Sequence, residues 1–195
     1  MDRRSQILTI AEHLFRRKGY HATSMRELAR HRNLQGGSLY AHIQSKEEDL
    51  LEVVRQAAER FQKVLEELPS GDPVTRMKAL VKGHLRVIAE ELPRATVFFH
   101  EWKHLSPPLL EEAKALRRRY EEGVQAGVFR VENVRLATLF VLSALNWTYQ
   151  WYRPDGPLSL EALAEAYAEL VLKALGVAAS PEGERREKGG EDGEA

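Results

Sequence analysis

The sequence predicts an all-α fold of about nine helices, with an N-terminal helix-turn-helix and a larger helical C-terminal part. Apolar residues recur at helical spacing through most of the chain, and capping residues stand in front of the periodic stretches. No stretch shows convincing strand alternation, and no internal repeat is present. A chain of 195 residues is long enough to bury a sizeable core.

The first predicted helix is amphipathic and ends at Gly19. Its apolar positions follow an i, i+3, i+4, i+7, i+8 pattern, formed by Ile7, Ile10, Ala11, Leu14 and Phe15. Glycine readily adopts the left-handed conformation that terminates helices, so we expect Gly19 at the position just after the helix.

The next three helices are predicted over about 24–31, 36–43 and 46–67. Ser24 with Glu27, and Ser45 with Glu48, each form the S-x-x-E pattern of a capping box. Asn33 tolerates the turn between the two short helices. Their apolar residues can close one small core: Met25, Leu28, Ala29, Leu34, Leu39 and Ile43. This is a helix-turn-helix, which places its second helix in the major groove of DNA.

The C-terminal part contains five more helical patterns after the turn at 69–73. They lie at about 73–91, 93–104, 108–126, 133–152 and 159–175. Ser159 is suited to cap the last helix and Gly176 to end it. Residues 177–195 have almost no large apolar side chains, so we expect a disordered tail.

Charge is distributed unevenly on a chain whose net charge is zero. Residues 1–46 contain nine Lys or Arg against three acidic residues, a net of +6, which leaves −6 for the remainder. A basic end on a neutral chain is typical of a local DNA-binding module.

Several function classes are excluded or disfavoured by composition. The chain has no cysteine, which excludes disulfides, thiol catalysis and Cys-ligated zinc. The first residues contain no apolar run typical of a signal peptide, and no segment approaches the ~20 apolar residues of a membrane span. We therefore expect a soluble cytoplasmic protein with no membrane partner.

The N-terminal 50 residues resemble the TetR family of transcriptional regulators. The matching residues run in order: Gly19-Tyr20, Thr23-Ser24, Leu28-Ala29, Gly37-Ser38-Leu39-Tyr40, Ser45-Lys46-Glu47 and Leu50-Leu51. The chain departs from the family at Asn33, where Gly is usual, and at Ile43, where Phe is usual. The resemblance implies a DNA-binding domain at 1–48, an effector-binding and dimerisation domain at 49–176, and a homodimeric repressor that binds double-stranded operator DNA.

The same resemblance implies that Gly36, Gly37, Ser38, Tyr40 and His42 belong to the DNA-facing helix and that Lys46 lies at the start of the next helix. Their side-chain chemistry adds Gln35 and Arg26 to the predicted DNA-binding residues. Two glycines allow close approach to phosphates, and Tyr and Lys donate to phosphate oxygens. Gln35, Ser38 and His42 are the best candidates for reading bases.

Residues 98–108 and 146–164 resemble a narrower branch of the family that senses acyl-coenzyme A thioesters. This implies an acyl-CoA effector, phenylacetyl-CoA or a medium-to-long-chain acyl-CoA, that releases a repressor of an acid-catabolism operon. The predicted ligand-binding residues combine aromatic, polar and basic side chains: Phe98, Phe99, Trp102, Phe140, Asn146, Trp147, Trp151, Arg86 and Lys103. The aromatic residues alternatively fill a core or a dimer seam.

Two alternatives stay open at this point. One is a TetR-type repressor of a drug-efflux gene, although Glu101 is the only acid among the aromatic residues and cationic drugs favour buried carboxylates. The other is a zinc hydrolase, because residues 100–104 read H-E-x-x-H. The absence of a recognisable third ligand and of strands disfavours it. We therefore predict no enzyme activity, no bound metal and no cofactor beyond the effector.

Overall fold

The computed structural model describes residues 3–31, 45–107, 110–111 and 133–176, and all regular structure in these ranges is helical. The helices are α1 (Arg3–Lys18), α2 (Met25–His31), α3 (Lys46–Glu66), α4 (Pro73–Glu90), α5 (Leu92–His100), α6 (Val134–Asn146), α7 (Thr148–Trp151) and α8 (Leu160–Ala174). A 3₁₀ turn, Trp102–His104, follows α5. The predicted all-α fold is confirmed. The predicted helix at 36–43, the predicted helix at 108–126 except residues 110–111, and the tail at 177–195 lie outside the described residues.

The predicted helix boundaries at the N-terminal end are confirmed by their capping contacts. Gly19 has a φ of 83°, and its N–H donates to Phe15 O at 2.8 Å. The Ser24 hydroxyl accepts from the Glu27 N–H at 3.1 Å, and that of Ser45 from the Glu48 N–H at 3.0 Å. Each cap satisfies an N–H group that has no partner within its helix.

Two predicted helices are each broken, and their prediction as continuous helices over 93–104 and 133–152 is wrong. The first break is at Glu101, where α5 gives way to the 3₁₀ turn. The second is at Trp147, between α6 and α7. The Thr148 hydroxyl donates to Leu145 O at 2.7 Å, a local side-chain bond that competes with the regular backbone pattern.

One hydrophobic core extends from α1 to α8. Helix α8 packs on α4, and α3 packs on both α1 and α5. Large side chains that are almost fully buried include Phe15, Leu50, Phe61, Met77 and Leu145. Helix α5 therefore lies between the N-terminal helix and the C-terminal bundle. Within the described ranges, each helix is too short or too polar to span a bilayer.

His84 is a fully buried titratable residue of this core. It lies on α4 with its ring 4.8 Å from that of Phe61. Burial lowers the pKa of His84 from 6.5 to about 3, and the neighbouring Asn146 side chain opposes this effect only in part. The imidazole is therefore neutral in the folded protein near pH 7.

We predict that His84 makes the protein less stable in mild acid. Its folded pKa lies below the unfolded value, so its contribution is complete above about pH 6.5 and is lost as the pH falls towards 3. Between pH 7.5 and pH 5.0 this group should lower the unfolding free energy by about 2 kcal/mol. Urea unfolding of the wild type and of His84→Gln at both pH values measures this loss of unfolding free energy. An equal loss in both proteins would contradict the assignment.

Candidate functional site

Lys46, at the first position of α3, closes the loop between α1 and α2 onto the start of α3. Its ammonium donates to Tyr20 O and Thr23 O, both at 3.0 Å, and lies 4.2 Å from the centre of the Tyr20 ring. Burial lowers the pKa of Lys46. Two of its three N–H groups thus hold the α1–α2 loop, which leaves one for a phosphate oxygen.

The other predicted DNA-binding residues divide between exposed and undescribed positions. Arg26 is exposed on α2, as are Arg16 and Arg17 at the end of α1. Lys18 forms an ion pair with Glu27 across the α1–α2 loop. The predicted residues of the DNA-facing helix lie outside the described residues: Gln35, Gly36, Gly37, Ser38, Tyr40 and His42.

A buried carboxylate joins the helix-turn-helix to the C-terminal helices. Glu101 is 6% exposed, and its Oε2 accepts the Tyr20 backbone N–H at 2.8 Å. Its Oε1 lies 2.8 Å from His100 Nδ1, and Oε2 lies 3.7 Å from His104 Nε2. One side chain at the end of α5 therefore holds the loop between α1 and α2.

Aromatic contacts surround this carboxylate. The His104 ring stacks on Tyr20, with 6.0 Å between centres and 6° between planes. His104 Nδ1 lies 2.9 Å from His21 Nε2. Burial, and then the charge of His21, lower the pKa of His104. We call Tyr20, His21, Glu101 and His104 the junction.

Two further contacts tie the same parts of the chain. The Arg94 guanidinium bridges Glu12 on α1 at 2.8 Å and Glu91 at 2.6 Å. Burial raises the pKa of Glu12, although Arg94 acts in the opposite direction. The Glu47 carboxylate accepts the Ser106 backbone N–H. Helix α5 and the turn after it are therefore fastened to α1, the α1–α2 loop and α3.

The H-E-x-x-H pattern is built into the junction. A zinc hydrolase of this type needs both His on one helical face and a Glu that is available to water. Here the helix ends at His100, and the Glu101 carboxylate already binds Tyr20 N–H and His100. Among the described residues, no group of three His, Cys, Asp or Glu side chains is placed to hold a metal ion.

Some of the predicted ligand-binding aromatic residues form a cluster behind the junction. Phe98 and Phe99 lie 5.3 and 5.4 Å from Phe61, and Phe99 stacks on Tyr149 at 5.6 Å. Asn146 lies at the same place: its Oδ1 is buried and has no hydrogen-bond partner in the part of the chain that is described. We call Phe61, Phe98, Phe99 and Tyr149 the aromatic cluster. Sequence analysis missed Phe61, whose helical spacing suits any core position equally well.

Of the remaining predicted ligand-binding residues, Trp147 reaches the edge of the aromatic cluster, with its ring 6.5 Å from that of Tyr149. Phe140, Trp147 and Trp151 are 56%, 63% and 43% exposed. Trp102 is partly buried against the core beside the junction. Arg86 lines a separate groove between α3 and α4, and Lys103 is exposed on the 3₁₀ turn. Their role in ligand binding stays a prediction.

Comparison with known proteins gives consistent results over nearly the whole chain. Residues 7–53 match the family model for bacterial regulatory proteins of the tetR family, and residues 70–175 match that for the tetracyclin repressor-like C-terminal domain. The transcriptional repressor KstR2 of Rhodococcus jostii is 32% identical, over 89% of this chain and 91% of its own.

Solved structures show the same fold. The TetR family transcriptional regulator PfmR of Thermus thermophilus is 38% identical, with a TM-score of 0.78 over 86% of this chain and 97% of its own. AibR, solved in complex with isovaleryl coenzyme A and operator DNA, is 22% identical, with a TM-score of 0.77 over 87% of this chain and 97% of its own.

We predict that Glu101→Ala destabilises the protein and loosens the junction. Removing the carboxylate leaves the buried Tyr20 N–H without its partner, which costs about 1–3 kcal/mol. Glu101→Gln retains an acceptor oxygen and should lose less. Chemical unfolding gives the energies, and hydrogen exchange of the Tyr20 amide reports the local effect. Unchanged protection of that amide in Glu101→Ala would contradict the role of Glu101.

Proposed function

The chain belongs to the TetR family and is a DNA-binding transcriptional repressor, and we propose that an acyl-CoA thioester releases it from its operator. Its relatives are transcriptional regulators, not enzymes. One observation carries the proposal: α5 bears both the aromatic cluster and the junction, through Phe98 and Phe99 near its end and Glu101 immediately after it. A ligand that displaces α5 must therefore act on the DNA-binding segment.

Operator binding is supported by the basic N-terminal segment and by the position of Lys46. Helix-turn-helix proteins gain affinity from phosphate contacts and specificity from the recognition helix. We propose Arg26 and Lys46 as phosphate contacts, and Gln35, Ser38 and His42 as base contacts, with Gly36, Gly37 and Tyr40 against the backbone.

We predict that Lys46→Ala weakens operator binding and reduces its salt dependence. Loss of one phosphate contact should lower the slope of log affinity against log salt by roughly one unit. Fluorescence anisotropy at several salt concentrations measures both quantities. Lys63→Ala, an exposed lysine near the far end of α3, is the matched control. A weaker affinity with an unchanged slope would assign Lys46 to loop closure alone.

Homodimerisation is supported by an exposed apolar face. Helix α6 exposes Leu136, Leu139 and Phe140, Trp147 follows it, and α8 exposes Leu170. Monomeric proteins rarely expose so many large apolar side chains together, because their burial is favourable. We propose that α6 and α8 pair with their copies around a two-fold axis, which matches a palindromic operator.

We predict that Phe140→Glu dissociates the dimer and abolishes operator binding at the same protein concentration. A buried carboxylate without a partner is costly, so the seam should not form around it. Arg135→Glu, an exposed position of the same helix, is the control. Sedimentation equilibrium gives the oligomeric state. A dimeric Phe140→Glu protein would place the seam elsewhere.

The acyl-CoA assignment is supported by the chemistry of the aromatic cluster. An acyl group is apolar and suits a site lined by Phe98 and Phe99, while the buried Asn146 Oδ1 offers one hydrogen bond. AibR, which has the same fold, is known with isovaleryl coenzyme A. The regulated genes, on this proposal, encode catabolism of the corresponding acid.

A drug-efflux repressor is the alternative, and the junction argues against it. Recognition of a cationic drug needs a buried carboxylate that is available to the ligand. Glu101, the acid predicted among the aromatic residues, has its oxygens engaged by Tyr20 N–H and His100.

We predict that acyl-CoA titration releases the operator. Phenylacetyl-CoA and a medium-to-long-chain acyl-CoA should each be compared with their free acids and with free coenzyme A. A tenfold loss of DNA affinity needs a difference of only about 1.4 kcal/mol between the two states. Release by the free acid alone, or by none of these compounds, would reject the thioester and favour the efflux alternative.

A further inference from the structure

A polar cavity of about 380 Å³ lies between the helix-turn-helix and the C-terminal helices. Its described lining comes from both sides: Arg16, Gly19, Thr96, His100, Glu101, Tyr149, Gln150 and Arg153. Sequence analysis did not bring these residues together, because Arg16 and Arg153 are far apart in the chain and neither belongs to a motif.

Two guanidinium groups in this cavity lack a carboxylate partner within the described ranges. Arg153 Nη1 donates to the backbone oxygens of Gln150 and Tyr152, at 3.3 and 3.0 Å, and these acceptors are neutral. Arg16 forms no ion pair with a described residue, although Lys18 and Arg94 nearby are both paired. Unpaired arginines that face one cavity are suited to bind an anion, since the planar guanidinium matches phosphate oxygens.

The acidic residue in the lining, Glu101, directs its oxygens to the junction. Glu101 Oε2 accepts the Tyr20 N–H and Oε1 lies against His100 Nδ1, so both oxygens are engaged at the junction.

Tyr149 connects the cavity to the aromatic cluster. One face of its ring stacks on Phe99 at 5.6 Å, and its hydroxyl oxygen accepts from Gln150 Nε2 at 2.7 Å. The hydroxyl proton therefore remains available to a ligand in the cavity. An apolar group among Phe98 and Phe99 would lie on one side of Tyr149. A phosphate beside Arg16 and Arg153 would lie on the other side.

We propose that this cavity binds the phosphate groups of the effector, with Arg16 and Arg153 as the binding cations. The identification of those phosphates as coenzyme A phosphates rests on the proposed function, whereas the anion site does not. Because Arg16 belongs to α1 and Arg153 to the C-terminal part, the bound phosphates bridge the two and bias their relative position. The coenzyme is then part of the release signal as well as the acyl group.

The experiment compares thioesters with and without the phosphorylated nucleotide of coenzyme A. Phenylacetyl-CoA and phenylacetyl-pantetheine are titrated by calorimetry into the full chain without DNA, in the wild type, Arg16→Gln and Arg153→Gln. Each variant should weaken phenylacetyl-CoA binding about tenfold and leave phenylacetyl-pantetheine binding unchanged. Arg4→Gln, an arginine at the other end of α1 whose side chain is 71% exposed, is the control and should change neither. Thermal unfolding verifies that the variants are folded, and Arg153→Lys should recover part of the loss.

Inorganic pyrophosphate separates this inference from the proposed function. It should compete with phenylacetyl-CoA in the wild type and bind more weakly to both variants. If acyl-CoA binds and the two variants bind it as the wild type does, the cavity assignment is overturned and the proposed function stands. If no acyl-CoA binds but pyrophosphate binds through Arg16 and Arg153, the anion site stands and the proposed function fails. If the wild type binds neither, both are overturned.

Discussion

The hydrogen bond from the Tyr20 backbone N–H to the buried Glu101 carboxylate is the contact on which the arrangement of the two parts depends. A charged acceptor with little exposure binds a backbone donor strongly, and loss of either partner leaves a buried polar group unsatisfied. Two neighbouring contacts involve the same residue: His104 stacks on the Tyr20 ring, and Lys46 donates to the Tyr20 carbonyl. The α1–α2 loop is therefore held from α3 and from the end of α5 together.

On the proposed function, this arrangement allows a ligand at the aromatic cluster to act on DNA binding. Helix α5 is short and has the aromatic cluster on one side, with Arg94 and the adjoining Glu101 fastened to the N-terminal segment. Close-packed interiors do not deform continuously, so a shift of α5 must be followed by its polar partners or break their contacts. Since allosteric coupling typically amounts to about 1–3 kcal/mol, a displacement that weakens one or two of these hydrogen bonds is sufficient.

The break between α5 and the 3₁₀ turn at Glu101 is central to the contact between the two parts and to the proposed action of a ligand. In a continuous helix, His100 and His104 would share one face, as a metal site requires. The 3₁₀ turn instead takes His104 to Tyr20 and His21, while the carboxylate at the break is buried. The H-E-x-x-H pattern, which by itself suggests a zinc hydrolase, is thus consistent with a contact between the two parts of a repressor.

The sequence by itself determined the all-α fold, the first helix and its stop at Gly19, the serine caps at Ser24 and Ser45, and the resemblance to the TetR family. These depend on local spacing and on residues near in the chain, where periodicity and capping chemistry are directly readable. Only the tertiary structure decided that Glu101 binds Tyr20, that Phe61 and Tyr149 join Phe98 and Phe99, and that Phe140 and Trp147 face outward. Helical periodicity shows that a side chain is apolar and lies on one face, but not which neighbour covers that face. Tyr20 and Glu101 are 81 positions apart, so their contact depends on how the helices pack. Local sequence patterns do not specify that packing.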